Sequence, residues 1–376
     1  MTLQSSGTPI KFSEIRAEFG DGTNTATSPV RLGKYRRDDG DFSNKNNGDL
    51  TNMPLDTGIP TSGQIKSSDF YGKSLNVVVN YHTSDENRPE HAHDRYSSPA
   101  TVTGTSNGKW NVVGGYRNPP TNSGGTKVKI HVNKTIGSAN DTNENICALR
   151  TGAEWSTGTM LSVDVGDEGR ISGAGGNGGA AGGTSGDNGL PGGDGQEGTS
   201  GLGIQYGTDA NETTVNLNSG GVIVCGFGGG GAGCGAEDTD DEGFFNFEDE
   251  DHVGSGGPGG GGAGVPAGSG GSTALGGNTA GSANATDGGS GGTGSGSAGN
   301  AVGGTGGRGG DINDSALGGV ATAAEGETSG AAGDPGGNGA AIRRTNNSIK
   351  WAFGSNSGTV SGAGAGGQGE SPDGIS

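Results

Sequence analysis

Nine carboxylates and three phenylalanines stand within the segment Ala236-Glu237-Asp238-Thr239-Asp240-Asp241-Glu242-Gly243-Phe244-Phe245-Asn246-Phe247-Glu248-Asp249-Glu250-Asp251. Asp238, Asp240, Glu242 and Asp249, with Gly243 among them, fall near the spacing at which an oxygen-rich loop wraps Ca2+. The match departs from that pattern, with Glu at its fifth place and Asp at its twelfth, and no helical pattern flanks it. Calcium binding is one reading and a solvated acidic loop is a second. In a third, the loop is a contact surface on which Phe244, Phe245 and Phe247 meet a receptor or a neighbouring subunit.

His91-Ala92-His93 puts two imidazoles on one side of an extended segment, so His91 and His93 form a second candidate metal pair. Their neighbours Pro89, Glu90, Asp94 and Arg95 read equally well as an exposed loop. Cys225 and Cys234 bracket a glycine run, so they are either bridged or two small buried thiols, and Cys147 stands apart. Three cysteines, an odd number, argue against a disulfide framework. Gly288-Gly289-Ser290-Gly291-Gly292 matches a nucleophile elbow only as any glycine-rich tract would, with no strand before it. The residues assemble no catalytic constellation and name no further cofactor, so the chain reads as non-enzymatic.

Glycine dominates the elements that must hold these residues. Of the 89 glycines, only 19 precede residue 169, and the remainder of the chain is about one-third glycine. Apolar residues make up 27% of the 376, against roughly 40% in ordinary domains once glycine is set aside. No large apolar core is available, and what there is must sit in a few strands. The net charge of −19 argues against nucleic acid as a partner and keeps copies of the chain apart. The start, Met1-Thr2-Leu3-Gln4-Ser5, shows no secretory signal, and no apolar stretch is long enough to span a membrane. Synthesis in a cytoplasm without processing or membrane insertion is therefore expected.

Three regions follow. Residues 1–73 carry a short motif three times: Pro9-Ile10-Lys11-Phe12-Ser13-Glu14-Ile15, Pro29-Val30-Arg31-Leu32-Gly33-Lys34-Tyr35 and Gln64-Ile65-Lys66-Ser67-Ser68-Asp69-Phe70-Tyr71. Ser13, Ser67 and Ser68 are candidate helix N-caps. Such beads look too small to form a core alone, and they predict an extended docking arm. Its contact residues would be Ile10, Phe12, Ile15, Val30, Leu32, Tyr35, Ile65, Phe70 and Tyr71. Residues 74–168 hold period-two strands: Leu75–Tyr81, Trp110–Val113, Val128/Ile130/Val132 and Leu161/Val163/Val165. With turns at Gly114-Gly115 and Asn118-Pro119-Pro120, they predict a small antiparallel β-sandwich stem.

Residues 169–376 form a glycine-rich repeat domain. Units beginning Val163-Asp164-Val165, Val215-Asn216-Leu217 and Phe353-Gly354-Ser355 each read as a hairpin followed by a glycine excursion. Ordered glycine is entropically costly. Helices of the polyproline type, three residues per turn, could offset that cost by packing backbone to backbone in a sandwich. A disordered tail is the competing reading.

The motifs Ile10-Lys11-Phe12-Ser13-Glu14-Ile15 and Ile59-Pro60-Thr61-Ser62-Gly63-Gln64-Ile65, with His131-Val132-Asn133-Lys134-Thr135-Ile136-Gly137-Ser138 and Cys147-Ala148-Leu149-Arg150-Thr151-Gly152, resemble glycine-rich virion proteins of large contractile-tailed phages, the cyanophage type. The glycine half is similar in style to tail-fibre tip adhesins. The resemblance implies a mostly β virion protein of a tail fibre or baseplate. Its arm would bind other virion proteins, its glycine domain would face a host receptor, and copies of it could form homo-oligomers. A capsid or neck decoration protein and a surface-glycan depolymerase are the alternatives.

Overall fold

The computed structural model describes residues 3, 7–19, 58–60, 62–73, 77–81, 83–84, 90–92, 110–113, 127–139, 143–155, 157–185, 188–240, 250–274, 279–296, 301–312, 328–362 and 370–371. The fold is mostly β. The chain has a helix, α1 (Phe12–Phe19), and a 3-10 turn, Ser67–Phe70.

The strands form coils. The first region of sheet contains β1 (Val77–Tyr81), β2 (Glu90–His91) and β3 (Trp110–Val113). One coil then comprises β4 (Lys127–Val132), β5 (Thr135–Ile136) and β6 (Cys147–Arg150), and the next β7 (Met160–Val165), β8 (Arg170–Ser172) and β9 (Ser200–Ile204). A further coil begins with β10 (Thr213–Leu217) and β11 (Val222–Val224). Before it closes, the chain makes β12 (Ala236–Asp240), β13 (Glu250–Ser255), β14 (Ser295–Gly296) and β15 (Thr328–Ser329). It is completed by β16 (Ile342–Arg344), and β17 (Trp351–Asn356), β18 (Thr359–Ser361) and β19 (Glu370–Ser371) make the last coil.

Each coil gives one strand to each of three sheets, ordered β17-β10-β7-β4-β1-β3, β18-β11-β8-β5 and β19-β16-β9-β6-β2. Apart from β1 with β3, the pairs within these sheets run parallel. Like residues therefore stack. Val79, Ile130, Val163, Val215 and Phe353 form one column, Ile136, Ile171, Ile223 and Val360 a second, and Leu149, Leu202 and Ile342 a third. Together they run through the main apolar core. Each buried Val, Ile or Leu stabilises by roughly 1.5–3 kcal/mol relative to exposure. A polar row crosses the same strands. The His131 ring lies 3.0 Å from Asn80 Oδ1, Asn216 Nδ2 donates to Asp164 Oδ1 at 2.6 Å, and Ser162 Oγ donates to Asp164 Oδ2 at 3.0 Å.

Two expectations change here. The strands of 74–168 do not form an antiparallel sandwich, and β10 and β17, from beyond residue 168, share their sheet. The paired strands of each repeat unit are also not hairpins: β7 and β8 belong to different sheets. Period-two patterning is the same for parallel and antiparallel strands. What decides here is the repeat itself, since identical units bury identical residues best by stacking in register.

The glycine excursions leave and rejoin the coil at one corner, between the second and third sheets. Their hydrogen bonds step by three residues. The N–H groups of Gly173, Gly176, Gly179 and Gly182 donate to the carbonyls of Val224, Phe227, Gly230 and Gly233. Those of Gly226, Gly229, Ala232 and Gly235 donate to Thr199, Gln196, Gly193 and Leu190, and those of Gly256, Gly259, Gly262 and Val265 to Gly182, Gly179, Gly176 and Gly173. The run 224–235 is bonded in this way to runs 173–182, 190–199, 256–265, 303–310 and 330–339. A three-residue step satisfies the buried backbone without helix or ladder. Glycine is required because there is no room for anything else: a Cβ on Gly228, Gly229, Gly230 or Gly231 would collide with the backbone of a neighbouring run. In the described residues these excursions are ordered and packed, which excludes the tail reading for them.

The N-terminal beads do form a core. Leu3, Ile10, Ile15, Ile59 and Phe70 are buried together, with Ile65 and Tyr71 packed against them. Tyr71 Oη donates to the Thr8 carbonyl at 2.9 Å, and Leu3 N to the Lys73 carbonyl at 3.0 Å. The two described copies share one device. Lys11 N donates to Glu14 Oε2 and Lys66 N to Asp69 Oδ2, each at 2.7 Å. The acidic residue three positions on, not the serine, meets the start of the turn, since a carboxylate is the stronger acceptor.

Candidate binding surfaces

The expected docking residues divide sharply. Ile10, Ile15 and Phe70 are buried against one another, and Ile65 and Tyr71 are half-buried, so none of these five offers a bare apolar face to a partner. Phe12 is the exception, exposed at 41% on the first turn of α1. Val30, Leu32 and Tyr35 lie outside the described residues.

A second surface lies where the glycine runs turn back. A run of about ten residues at roughly 3.1 Å each carries this end some 30 Å from the coil. The outward run 173–182 turns into the returning 190–199, and 224–235 passes into β12 and β13 before 256–265 returns. Here β14, β13, β12 and β15 form a small antiparallel sheet. Leu190, Val253 and Val302 are exposed at 41%, 48% and 49%; with Phe12 they are the exposed large apolar residues among those described. They share this end. Leu190 O accepts from Gly235 N, Gly235 precedes β12, Val253 pairs with Glu237 across β12–β13, and the Gly254 Cα faces the Val302–Gly303 backbone. Three residues so far apart in sequence gave no signal before folding.

The described parts of the acidic segment, in β12 and β13, belong to this same end. Asp238 sits opposite His252 and Asp240 opposite Glu250 in the β12–β13 register. Glu242, Phe244, Phe245, Phe247 and Asp249 lie outside the described residues, as does His93. His91 stands in β2 opposite Arg150. Among the described residues no group of three His, Cys, Asp or Glu is placed to hold a metal ion.

The three cysteines are buried thiols, with no bridge between Cys225 and Cys234. Burial pushes the Cys147 thiol up to about 12, although Arg343 and Arg150 pull it back, so it is no nucleophile at neutral pH. Beside it lies a knot that sequence reasoning missed. Arg343, 2% exposed, donates from Nε to Ser200 Oγ (3.1 Å) and from Nη1 to Asn145 Oδ1 (2.7 Å), and pairs with Glu144 at 3.4 Å. Ser200 Oγ also accepts from Ala340 N (3.0 Å) and donates to the Glu144 carbonyl (2.6 Å), which exhausts the hydroxyl. The knot ties three successive coils where both excursions rejoin them. Arg170, its charge disfavoured by burial, reaches from β8 to the Ala285 carbonyl (2.6 Å) in a coil-side turn of the second excursion. In that turn hydrogen bonds from Asn284 and Thr286 hold the Asp287 carboxyl below its usual range.

No profile of a known family and no curated protein matches the chain. Among solved structures, the crystal structure of the gp37–gp38 adhesin tip complex of the bacteriophage S16 long tail fibre aligns over 96% of this chain and 99% of that one. Identity there is 16% and the TM-score 0.34. A likeness of that size fixes neither fold nor role. No helix among the described residues is long and apolar enough to cross a membrane.

Proposed function

We propose that the chain is a non-enzymatic phage virion protein of the tail fibre or baseplate. In this reading residues 1–73 dock it to other virion proteins, and the far end of its glycine-rich part meets a host surface. The segregation of exposed apolar side chains carries the reading. Phe12 marks the N-terminal unit, and Leu190, Val253 and Val302 mark the turns farthest from the coil, while no other large apolar residue among those described is exposed. Exposed apolar residues gathered at an end are the mark of a contact surface. The runs between are consistent with polyglycine helices of three residues per turn, a spacer that gains rigidity from backbone bonds instead of a thick core.

Two experiments test the two ends. Phages carrying the chain without residues 1–73 should assemble particles that lack it, and normal incorporation would sink the docking role. Phages carrying Val253→Asp with Val302→Asp should incorporate the protein normally and adsorb at least tenfold more slowly. Unchanged adsorption would remove host recognition and favour a decoration role.

A further inference from the structure

A groove crosses the outer face of the first sheet where β4, β7 and β10 begin. Val128, Ile130, Leu161, Val163 and Val215 belong to the core, so the alternate residues Lys127, Lys129, Met160, Ser162 and Thr214 face outward and make the floor. Parallel register sets Lys127 beside Met160, Lys129 beside Ser162 and Ser162 beside Thr214. The turn before β10, residues 209–212, makes a wall above this floor. Two backbone bonds close the turn, Thr208 N to Asn211 O (3.0 Å) and Asn211 N to Thr208 O (3.1 Å), and Lys350 Nζ comes within 3.8 Å of Asp209. The groove holds about 460 Å3, inside the range of small-molecule sites, about 300–1,000 Å3. Lys127 and Asp209 are engaged within the chain. Among the described residues, the Lys129 ammonium, the Glu212 carboxylate, the Asn211 amide and the Thr214 hydroxyl make no hydrogen bond or ion pair. Lys129 and Glu212 therefore line one hollow without meeting each other.

We propose that this groove binds a short neutral saccharide. Charge selects the class. The lining carries two lysines on the floor and two carboxylates on the wall, so it is neutral as a whole. An anion that meets Lys129 also meets Glu212, Asp209 and a chain of net charge −19. A cation that meets Glu212 also meets Lys127 and Lys129. An uncharged ligand escapes both penalties. One rich in hydroxyls also uses both sides, because each hydroxyl donates one hydrogen bond and accepts others. Its hydroxyls donate to Glu212 and accept from Lys129, in charge-assisted bonds about twice as strong as neutral ones. Asn211 and Thr214 can each donate or accept, and the C–H face of a sugar ring finds the Met160 thioether and the lysine stems. A small zwitterion could span Lys129 and Glu212, but it would leave Asn211, Thr214 and Met160 unused. The groove lies on the coil, apart from Leu190, Val253 and Val302 at the far turns, and nothing in it depends on the virion role.

The test uses the full chain with isotopically labelled methionine methyl groups. Of the three methionines, Met1, Met53 and Met160, it is Met160 that lines the groove. Mono- to trisaccharides of glucose, galactose, mannose and N-acetylglucosamine are titrated in, with sodium acetate and betaine as charged controls, and the methyl NMR signals are followed. At least one sugar should shift the Met160 signal to saturation and leave Met1 and Met53 unmoved, while acetate and betaine shift nothing. Lys129→Gln and Glu212→Gln, both outside the core, should each weaken binding at least tenfold through the loss of a charge-assisted bond, at unchanged melting temperature. Val253→Asp, at the far turns, should leave binding unchanged. A Met160 signal that no sugar moves would overturn the proposal. So would a shift produced by acetate or betaine alone, or sugar binding that survives both glutamine substitutions or is lost with Val253→Asp.

Discussion

Alanine at Gly229 would set a Cβ far inside contact distance of the Asn177 carbonyl and 2.9 Å from the Gly178 nitrogen, both backbone atoms of a neighbouring run. Nothing there can rotate away, so the two runs must part. Three bonds cross that spot: Gly229 N to Gln196 O (2.9 Å), Gly336 N to Gly229 O (2.8 Å) and Gly179 N to Gly230 O (2.9 Å). At about 1 kcal/mol net for each bond weakened, and about 1–3 kcal/mol for overpacking, Gly229→Ala should cost roughly 3–5 kcal/mol. In a chain of this size that lowers Tm by roughly 4–6 °C. Gly337 is the matched control in an adjoining run, because a Cβ there meets nothing nearer than Glu197 Cγ at 3.9 Å. Gly337→Ala should be neutral or gain up to about 1 kcal/mol through the unfolded chain. Differential scanning calorimetry of the three purified proteins decides it. If the two variants melt together, the claim that close backbone packing dictates glycine in these runs is refuted.

Arg343→Met should take the donor from Asn145 Oδ1 and one of three hydrogen bonds from Ser200 Oγ, and cost about 2–3 kcal/mol, read as a lower urea midpoint at unchanged slope; a midpoint equal to the wild type would show that the knot is dispensable. Cys147 should resist iodoacetamide at pH 8 until the chain unfolds, and rapid labelling of the native protein would contradict its burial. Because its thiol is raised in the fold to about 12, its contribution to stability is intact below the unfolded value near 9 and should be lost as pH rises towards 12, a trend absent from Cys147→Ala. Asp164→Ala removes the acceptor for both Asn216 and Ser162 and should cost about 1–2 kcal/mol, measured by thermal melting.

The alternation of Val128, Ile130 and Val132 with Lys127, Lys129 and His131 was enough to place β4, and Leu161, Val163 and Val165 placed β7. Their direction was not legible, because each strand's partner sits a full coil away and alternation carries no polarity. The repeats starting at Val163, Val215 and Phe353 were visible as repeats, and they are the rungs. Reading each as a hairpin failed because the bend after Val165 turns the chain onto the next face and does not reverse it in the same sheet. Glycine content announced close contacts. It could not order the runs, since one glycine is the same as another to a neighbouring backbone. The N-terminal beads were recognised but judged singly, and Ile15 and Phe70 find cover only in each other's company. Leu190, Val253 and Val302 carried no signal because a lone exposed apolar residue is ordinary until three of them meet.

The three-residue stitching of the glycine runs has a mechanical meaning. A pull on the far turns, directed along the runs, loads the cross-bonds of every run in shear, so they share the force instead of opening in turn. Because both excursions rejoin the coil at the Arg343–Ser200 knot, the load passes directly into stacked strands. Tweezers attached at Thr184 and Met1 should therefore record one abrupt rupture of the glycine part, and a staircase of small releases would show that the runs unzip one by one.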